Sequence, residues 1–294
     1  PVFCDIDPYT GCPDPADIEQ RITPKTKAMI IVHLGGMPAE MDAIVEVSQR
    51  YNLIVIEDCS HAHGATYKGQ KVGTIGDIGC FSMQAGKLLP AGEGGVMITN
   101  NLDWHERAIC LGHYERIPHL SNPDYHKYSP TCFGYKYRIS PLSAAIASVQ
   151  LCHLDQRNKQ RNDNVMYLME GISAFPGMHP LKPAEYIFRG YYSNPYIRYD
   201  ADELGGLPKS KLIEALRAEG ASVASGAPGG RNHLSAIFQE RNHPAFSRPE
   251  IQREITYEKG DLPRSEKPRQ DMMTIPAFPV ANEALLDQYI KAFH

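Results

Sequence analysis

Apolar residues in the first third of the chain fall into short blocks, separated by polar stretches with helical spacing. Residues 28–32 (Ala-Met-Ile-Ile-Val) and 53–56 (Leu-Ile-Val-Ile) are too short for stable helices and rich in branched side chains, which reads as buried strands. Between them Met41, Ile44 and Val45 share one face of a helix predicted over 40–51. Upstream, residues 2–5 read as a further short strand. Asp14 and Pro15 read as the cap and first position of a short helix carrying Ile18 and Ile22, stopped by Thr23-Pro24. The order strand, helix, strand, helix, strand, with short connections, predicts a mostly parallel sheet covered by helices.

Two more apolar runs, 78–83 and 96–99, read as strands, and 103–111 as a helix. Residues 112–137 form a long irregular segment whose aromatic and histidine content favours an ordered, site-forming loop. Helical texture resumes at 140–154 with Leu142, Ala145, Ile146, Val149 and Leu154, and again at 162–174. A strand over 191–199, an amphipathic helix over 209–219 closed by Gly220, and strands over 221–224 and 272–275 follow. A last helix is capped by Asn282, with Leu285, Leu286, Tyr289 and Ile290 inward. Residues 239–270 are charged and proline-bearing and give no usable period. There are no internal repeats.

Composition narrows the class. A chain of 294 residues with 42% hydrophobic content can build two cores, which are expected in a larger unit over 1–150 and a smaller one over 151–294. The net charge of -4, from 30 basic and 34 acidic residues without a long basic run, argues against nucleic acid or an anionic membrane as the main partner and favours small molecules. Seven cysteines without a CxxC pair suit reduced thiols rather than a disulfide framework or a zinc site. With no apolar stretch of transmembrane length and no signal-like opening, a cytoplasmic location is expected.

Candidate chemistry gathers in residues 53–100. The strand at 53–56 delivers Glu57 and Asp58 at its carboxyl end, where open α/β sheets place ligands. Ser82 ends the next run, and Lys87 and the turn Gly92-Glu93-Gly94-Gly95 follow at once. An acid, a hydroxyl and a lysine thus meet near one sheet edge. Pyridoxal phosphate (PLP) uses that trio together: an amine to link it, an acid against its pyridine nitrogen, and donors for its phosphate. Strand alternation points Glu57 away from Asp58, towards a structural role, and Glu93 reads as a turn acid. His61 and His63 would face one way in extended chain, but no third ligand at compatible spacing makes them a metal site.

The stretches EDCSHAHGATYKG, GDIGCFS and GKLLPAGEGG resemble the DegT/DnrJ/EryC1/StrS family of PLP-dependent sugar aminotransferases. The resemblance implies an α/β fold of the aspartate-aminotransferase type (fold type I), with the large domain incomplete and a smaller α+β carboxy-terminal domain. It implies Lys87 as the residue that links the cofactor and moves the proton, Asp58 as the partner of the pyridine nitrogen, and Ser82 as a phosphate ligand. His61 stands where the family usually has a glutamine that contacts the cofactor's phenolic oxygen. The segment Gly134-Tyr135-Lys136-Tyr137-Arg138 is similar to a GYNYR motif whose asparagine reaches the cofactor phosphate of the other subunit, so Lys136 is expected at that contact in a homodimer. His33 matches a VHLYG segment near the site.

The implied reaction moves an amino group from glutamate or glutamine to a keto sugar, nucleotide-linked, with a cyclitol ketone of the inosose type as the alternative. A dehydrating branch of the fold replaces the lysine by histidine, and Lys87 argues against it. A non-catalytic reading, as a cofactor-binding regulator or inactive fragment, rests on the opening PVFCDID, which lies well inside the large domain of the family. The family's phosphate loop and stacking aromatic precede that point. The chain as given is therefore expected to be a poor catalyst.

Overall fold

In the computed structural model, which describes residues 1–129, 135–240, 256–267 and 269–294, the Asp14 carboxylate accepts from the Ala16 N–H and opens helix α1 (Pro15–Gln20) with Pro15 in its first turn. Strand β1 (Ala28–Val32), helix α2 (Met41–Tyr51) and strand β2 (Ile54–Asp58) follow as the apolar blocks predict. The buried face of α2 is Met41, Ile44 and Val47 rather than Val45, and the helix stops at Asn52 in a left-handed cap (φ 51°). Val55 and Glu57 of β2 turn inward and Asp58 turns the other way, as alternation requires.

No helix joins β2 to the next long strand. A tight hairpin, β3 (Thr66–Tyr67) and β4 (Gln70–Lys71), fills the connection; Lys68 and Gly69 sit at φ 49° and 80°, the two positive values a primed two-residue turn needs. Strands β5 (Ile78–Ser82) and β6 (Gly95–Ile98) and helix α3 (Leu102–Gly112, capped by Asn101) complete the first half. The sheet runs β1-β2-β5-β6. Its first three strands are parallel, and β6 returns antiparallel to β5 because the intervening loop folds straight back.

Residues 2–5 do not form the expected strand. Their amides are taken by side chains instead: Phe3 N–H donates to the Tyr257 hydroxyl and Asp5 N–H to Asp17 at 2.6 Å. The Asp5 carboxylate in turn receives the Arg264 N–H and the N–H and hydroxyl of Ser265, so this segment is pinned to a part of the chain 260 residues away. The expected cover of helices is also one-sided. Met29, Ile31 and Val55 pack beneath Met41 and Ile44, whereas Ile30 on the other face is 66% exposed.

Helix α4 (Pro141–Cys152), capped by Ser140, leads into α5 (Leu154–Ile172), which begins eight residues earlier than the sequence pattern places it. Strands β7 (Met178–Pro180), β8 (Ile187–Phe188) and β9 (Tyr196–Tyr199), helix α6 (Lys209–Ala218), strand β10 (Ala224–Ser225), the single-turn helices α7 (Ala236–Gln239) and α8 (Pro263–Glu266), strand β11 (Met272–Thr274) and helix α9 (Glu283–Lys291) follow. The strands expected over 191–199 and 221–224 are thus shorter or displaced. A second sheet, β10-β11-β9-β7, is antiparallel throughout and shares a core of Leu168, Ile172, Ile197, Ile213, Leu216, Met273 and Leu286 with α5, α6 and α9. A small third sheet, β4-β3-β8, ties residues 66–71 to 187–188.

The irregular segment after α3 holds two 3-10 turns, Tyr114–His119 and Pro123–Tyr128. Gly134 of the motif around Lys136, Cys132, and much of 239–270 lie outside the described residues. The six described cysteines are free thiols, and among the described residues no helix is long and apolar enough to cross a membrane.

Candidate active site

Three parallel strands bring their carboxyl ends to one edge, with Val32, Asp58 and Cys80 paired across β1, β2 and β5. His33 follows β1, Asp58 ends β2 and Ser82 ends β5. Glu57 ties this edge to the loop that follows β4. Its carboxylate, 0% exposed, accepts from the N–H groups of Gly73 (2.7 Å), Ile75 (2.8 Å) and Gly76 (2.6 Å), and meets His33 Nε2 at 3.0 Å. His33 Nδ1 accepts from the Ala39 N–H at 3.1 Å, which assigns the proton to Nε2 and makes it a donor to Glu57. Burial alone would raise the Glu57 pKa, but the His33 and backbone hydrogen bonds outweigh it and hold the carboxyl below its ordinary value. The 73–76 loop is drawn so close that a Cβ on Gly79 of β5 would lie 2.3 Å from the Gly73 carbonyl oxygen.

Asp58 is half-buried and accepts from the Ser60 N–H at 3.0 Å, while its own carbonyl accepts from the His33 N–H. Its charge is felt next door: the Cys80 thiol is pushed up by burial first and by Asp58 second. His61 lies one turn on. Its Nδ1 accepts from the Gly35 N–H at 3.3 Å and its ring stacks on Tyr192 at 4.1 Å and 18°. Burial, then the charge of Lys87, lowers the His61 pKa, while Asp58 pulls it upward. The imidazole is therefore a neutral ring, with Nε2 left to donate.

Lys87 sits on the loop between β5 and β6, in a turn closed by its N–H to the Gln84 carbonyl. Buried Leu88 and Leu89 anchor that loop against Ala147 and Leu154. The Lys87 amine is 3.5 Å from the Tyr192 hydroxyl and 4.8 Å from the centre of that ring, and no carboxylate pairs with it among the described residues. The Ser82 hydroxyl accepts from the Gln84 N–H at 3.3 Å. His63, two residues past His61, is buried with both ring nitrogens unpartnered, and burial pushes it down to about 4.

The structure thus brings Lys87, Asp58, His61 and Ser82 to one sheet edge, as the sequence suggests. It does not bring Lys136 there. Lys136 is exposed and its amine lies 5.9 Å from the Tyr114 ring, beside the Arg138–Glu115 ion pair. The segment carrying it runs past α3 and the glycine turn, through the Tyr137 N–H bond to the Gly112 carbonyl and the approach of Ile139 to Gly94.

Tyr192 is the neighbour that sequence reasoning misses. It arrives from more than a hundred residues away, on the run Arg189-Gly190-Tyr191-Tyr192-Ser193 ahead of β9. That crowding of aromatic and polar residues before a strand is the signal that could have found it. Chemically, the edge offers an amine without a counter-ion among the described residues, a neutral imidazole donor, a carboxylate on the middle strand and a hydroxyl on the next.

Comparison with known proteins adds a family and a fold. The profile of the DegT/DnrJ/EryC1/StrS aminotransferase family matches residues 1–294. An L-glutamine:2-deoxy-scyllo-inosose aminotransferase of Streptoalloteichus tenebrarius is 39% identical over 228 residues, which is 74% of this chain and 52% of that protein. The chain spans about half the length of the curated relatives it matches. Among solved structures, the aminotransferase from Psychrobacter cryohalolentis superposes with a TM-score of 0.76 at 26% identity, covering 99% of this chain and 74% of that one. DesV of S. venezuelae, solved in complex with a ketimine intermediate, gives 0.74 at 26% identity over 99% and 71%. The expected fold of the aspartate-aminotransferase type holds over 99% of the chain.

Proposed function

The chain belongs to the DegT/DnrJ/EryC1/StrS aminotransferase family, and from that premise we propose that its strand-edge site moves an amino group to a ketone on a polyhydroxylated ring, with PLP as cofactor. The observation that carries the reading is the Lys87 amine, beside Tyr192 and without an ion-pair partner among the described residues, at one edge with Asp58, His61 and Ser82. These residues fit the cofactor. Lys87 is the attachment point, Asp58 the partner of the pyridine nitrogen, the His61 Nε2–H a donor to the ring oxygen, and Ser82 a donor to the phosphate. When bound, the cofactor supplies an electron sink for charge developing at the substrate carbon.

The protein's own groups do the rest. Lys87 is the amine the reaction calls for, and it lies beside the Tyr192 ring and hydroxyl, with no carboxylate paired to it among the described residues. Its Nζ takes the proton from the carbon that bears the amino group and returns one in the reverse sense. The Tyr192 hydroxyl steadies that nitrogen, and the stacked pair of Tyr192 and His61 walls one side of the site from water. Residues 1–150 are the cofactor-binding part in this reading and 151–294 the smaller part.

The name of the relative from S. tenebrarius supports L-glutamine as the donor and a cyclitol ketone as the acceptor. A nucleotide-linked keto sugar is the second reading, supported by the sequence motifs. Incubation of the protein with PLP, reduction with borohydride and peptide mapping test the site: a pyridoxyl label on Lys87 is the expected result, and label confined to other lysines sinks it.

A homodimer with shared sites belongs to the same proposal. Leu142, Ile146 and Val149 of α4 are 78%, 49% and 62% exposed and spaced along one stripe, and the stacked Tyr135 and Tyr137 precede them. Covered by a second copy, this stripe would carry Lys136 to the neighbouring site. Sedimentation equilibrium is expected to give twice the chain mass; a concentration-independent monomer would refute the shared site.

A further inference from the structure

The short turn Leu34–Gly36 has two working faces. On one, the Gly35 N–H donates to His61. On the other, the Gly35 carbonyl accepts from Arg189 Nη2 at 2.8 Å, and beyond it lies a cavity of about 430 Å³ whose walls include Thr10, Leu181, Arg189, Ser193 and Tyr196. That volume is in the range of small-molecule sites.

Arg189 is the unusual wall. It is 4% exposed, its Nε has no hydrogen-bond partner, and no carboxylate pairs with it among the described residues. None of the residues lining the cavity is acidic. The guanidinium lies 4.2 Å over the Tyr191 ring, a contact that compensates only part of the charge. A buried cation without a counter-charge is costly, and proteins rarely keep one without a use for it. The second cation on the wall, Lys182, is already paired with Glu170, and the Cys12 thiol behind the wall is pushed up to about 11 by burial and stays neutral.

We propose that this cavity is a binding site for the carboxylate of a small organic acid, with Arg189 as its counter-cation and the Tyr196 hydroxyl as a neutral donor to the rest of the molecule. One uncommitted positive charge matches one carboxylate; a phosphate dianion would find half the charge it needs. The cavity and the Lys87 edge lie on opposite faces of one turn, so this site stands independently of the proposed amino transfer. Burial lowers the Arg189 pKa, and an entering anion would relieve that strain on the charged form.

Titration calorimetry of the full-length, cofactor-loaded protein tests it with four probes: succinate, its neutral diamide, inorganic phosphate and L-glutamine. Succinate is expected to bind, and the diamide and phosphate are not. Arg189→Gln should weaken succinate by at least about tenfold, or about 1.4 kcal/mol, with Arg189→Lys retaining part of the affinity. Since Arg189 also tethers Gly35, Leu181→Trp serves as a second variant that fills the cavity without touching that bond, and it should abolish binding in a protein with an unchanged circular dichroism spectrum. L-glutamine binding that is tighter than that of succinate and is lost in Leu181→Trp would identify the acid as an amino acid, and succinate as the tighter Leu181→Trp-sensitive ligand a non-amino acid; either supports the site, whereas L-glutamine heat that persists in Leu181→Trp belongs to the donor at the Lys87 edge. Equal binding of the diamide, tighter binding of phosphate, or no acid binding that folded Leu181→Trp removes overturns it. None of these outcomes bears on whether Lys87 carries the cofactor, which the borohydride label reads separately.

Discussion

On the proposed reading, replacing Lys87 by alanine should lower kcat for amino transfer by at least about 10³-fold, because one substitution would remove both the attachment point and the acid–base group. The loop that carries it should survive. Leu88 and Leu89 hold that loop from below, and the Lys87 side chain makes no ion pair among the described residues whose loss would unfold it. Lys87→Arg separates chemistry from charge. Arginine keeps a cation beside Tyr192 but does not offer a neutral amine near neutral pH, so it should be as inactive as alanine. A steady-state assay with L-glutamine and 2-deoxy-scyllo-inosose, read alongside thermal stability, decides the matter. Activity within about tenfold of the parent in either variant would remove Lys87 from the mechanism.

Glu57→Ala should be the most damaging single change to the fold near the site, costing about 3–5 kcal/mol in chemical denaturation, because it leaves several buried donors without an acceptor. Those donors are the N–H groups of Gly73, Ile75 and Gly76 and the His33 Nε2–H, all aimed at a carboxylate that water does not reach. Glu57→Gln should cost less, since one oxygen remains to accept. The same group gives a pH signature. Its folded pKa lies below the ordinary value of 4.5, so its contribution is fully present above that value and is lost as the pH falls through the lower folded one. In acid titrations the parent should therefore lose stability below about pH 4.5 more steeply than Glu57→Gln; parallel curves would mean that Glu57 is not the acid-sensitive clasp.

What the sequence discloses of this protein, and what it conceals, divides by range. Local rules locate β1, β2, β5, the Asp14 and Asn282 caps, and the alternation that buries Glu57 while turning Asp58 to the edge. The motif text adds Lys87 and Ser82. Residues 2–5 have strand-like composition, yet a strand needs a neighbour, and here side chains of Asp17 and Tyr257 take the amides first. The direction of β6 depends on how a loop folds back, which periodicity does not encode. Tyr192 and Arg189 reach their places through the fold of the second half, and neither belongs to a motif on its own stretch. Lys136 is expected to act across a dimer; within one chain its neighbours are Tyr114 and the Arg138–Glu115 pair.

The peptide group of Gly35 ties several of these parts together, with His61 on its N–H and Arg189 and Ser193 on its carbonyl. Its φ of 63° disfavours other residues, and a Cβ there would stand 2.2 Å from the Ser193 hydroxyl oxygen. A side chain at position 35 must therefore adopt the left-handed φ and turn the Ser193 hydroxyl aside. A side chain at Gly35 would thus be felt at residues 61, 189 and 193 together, at the Lys87 edge and in the cavity behind it, through a single peptide.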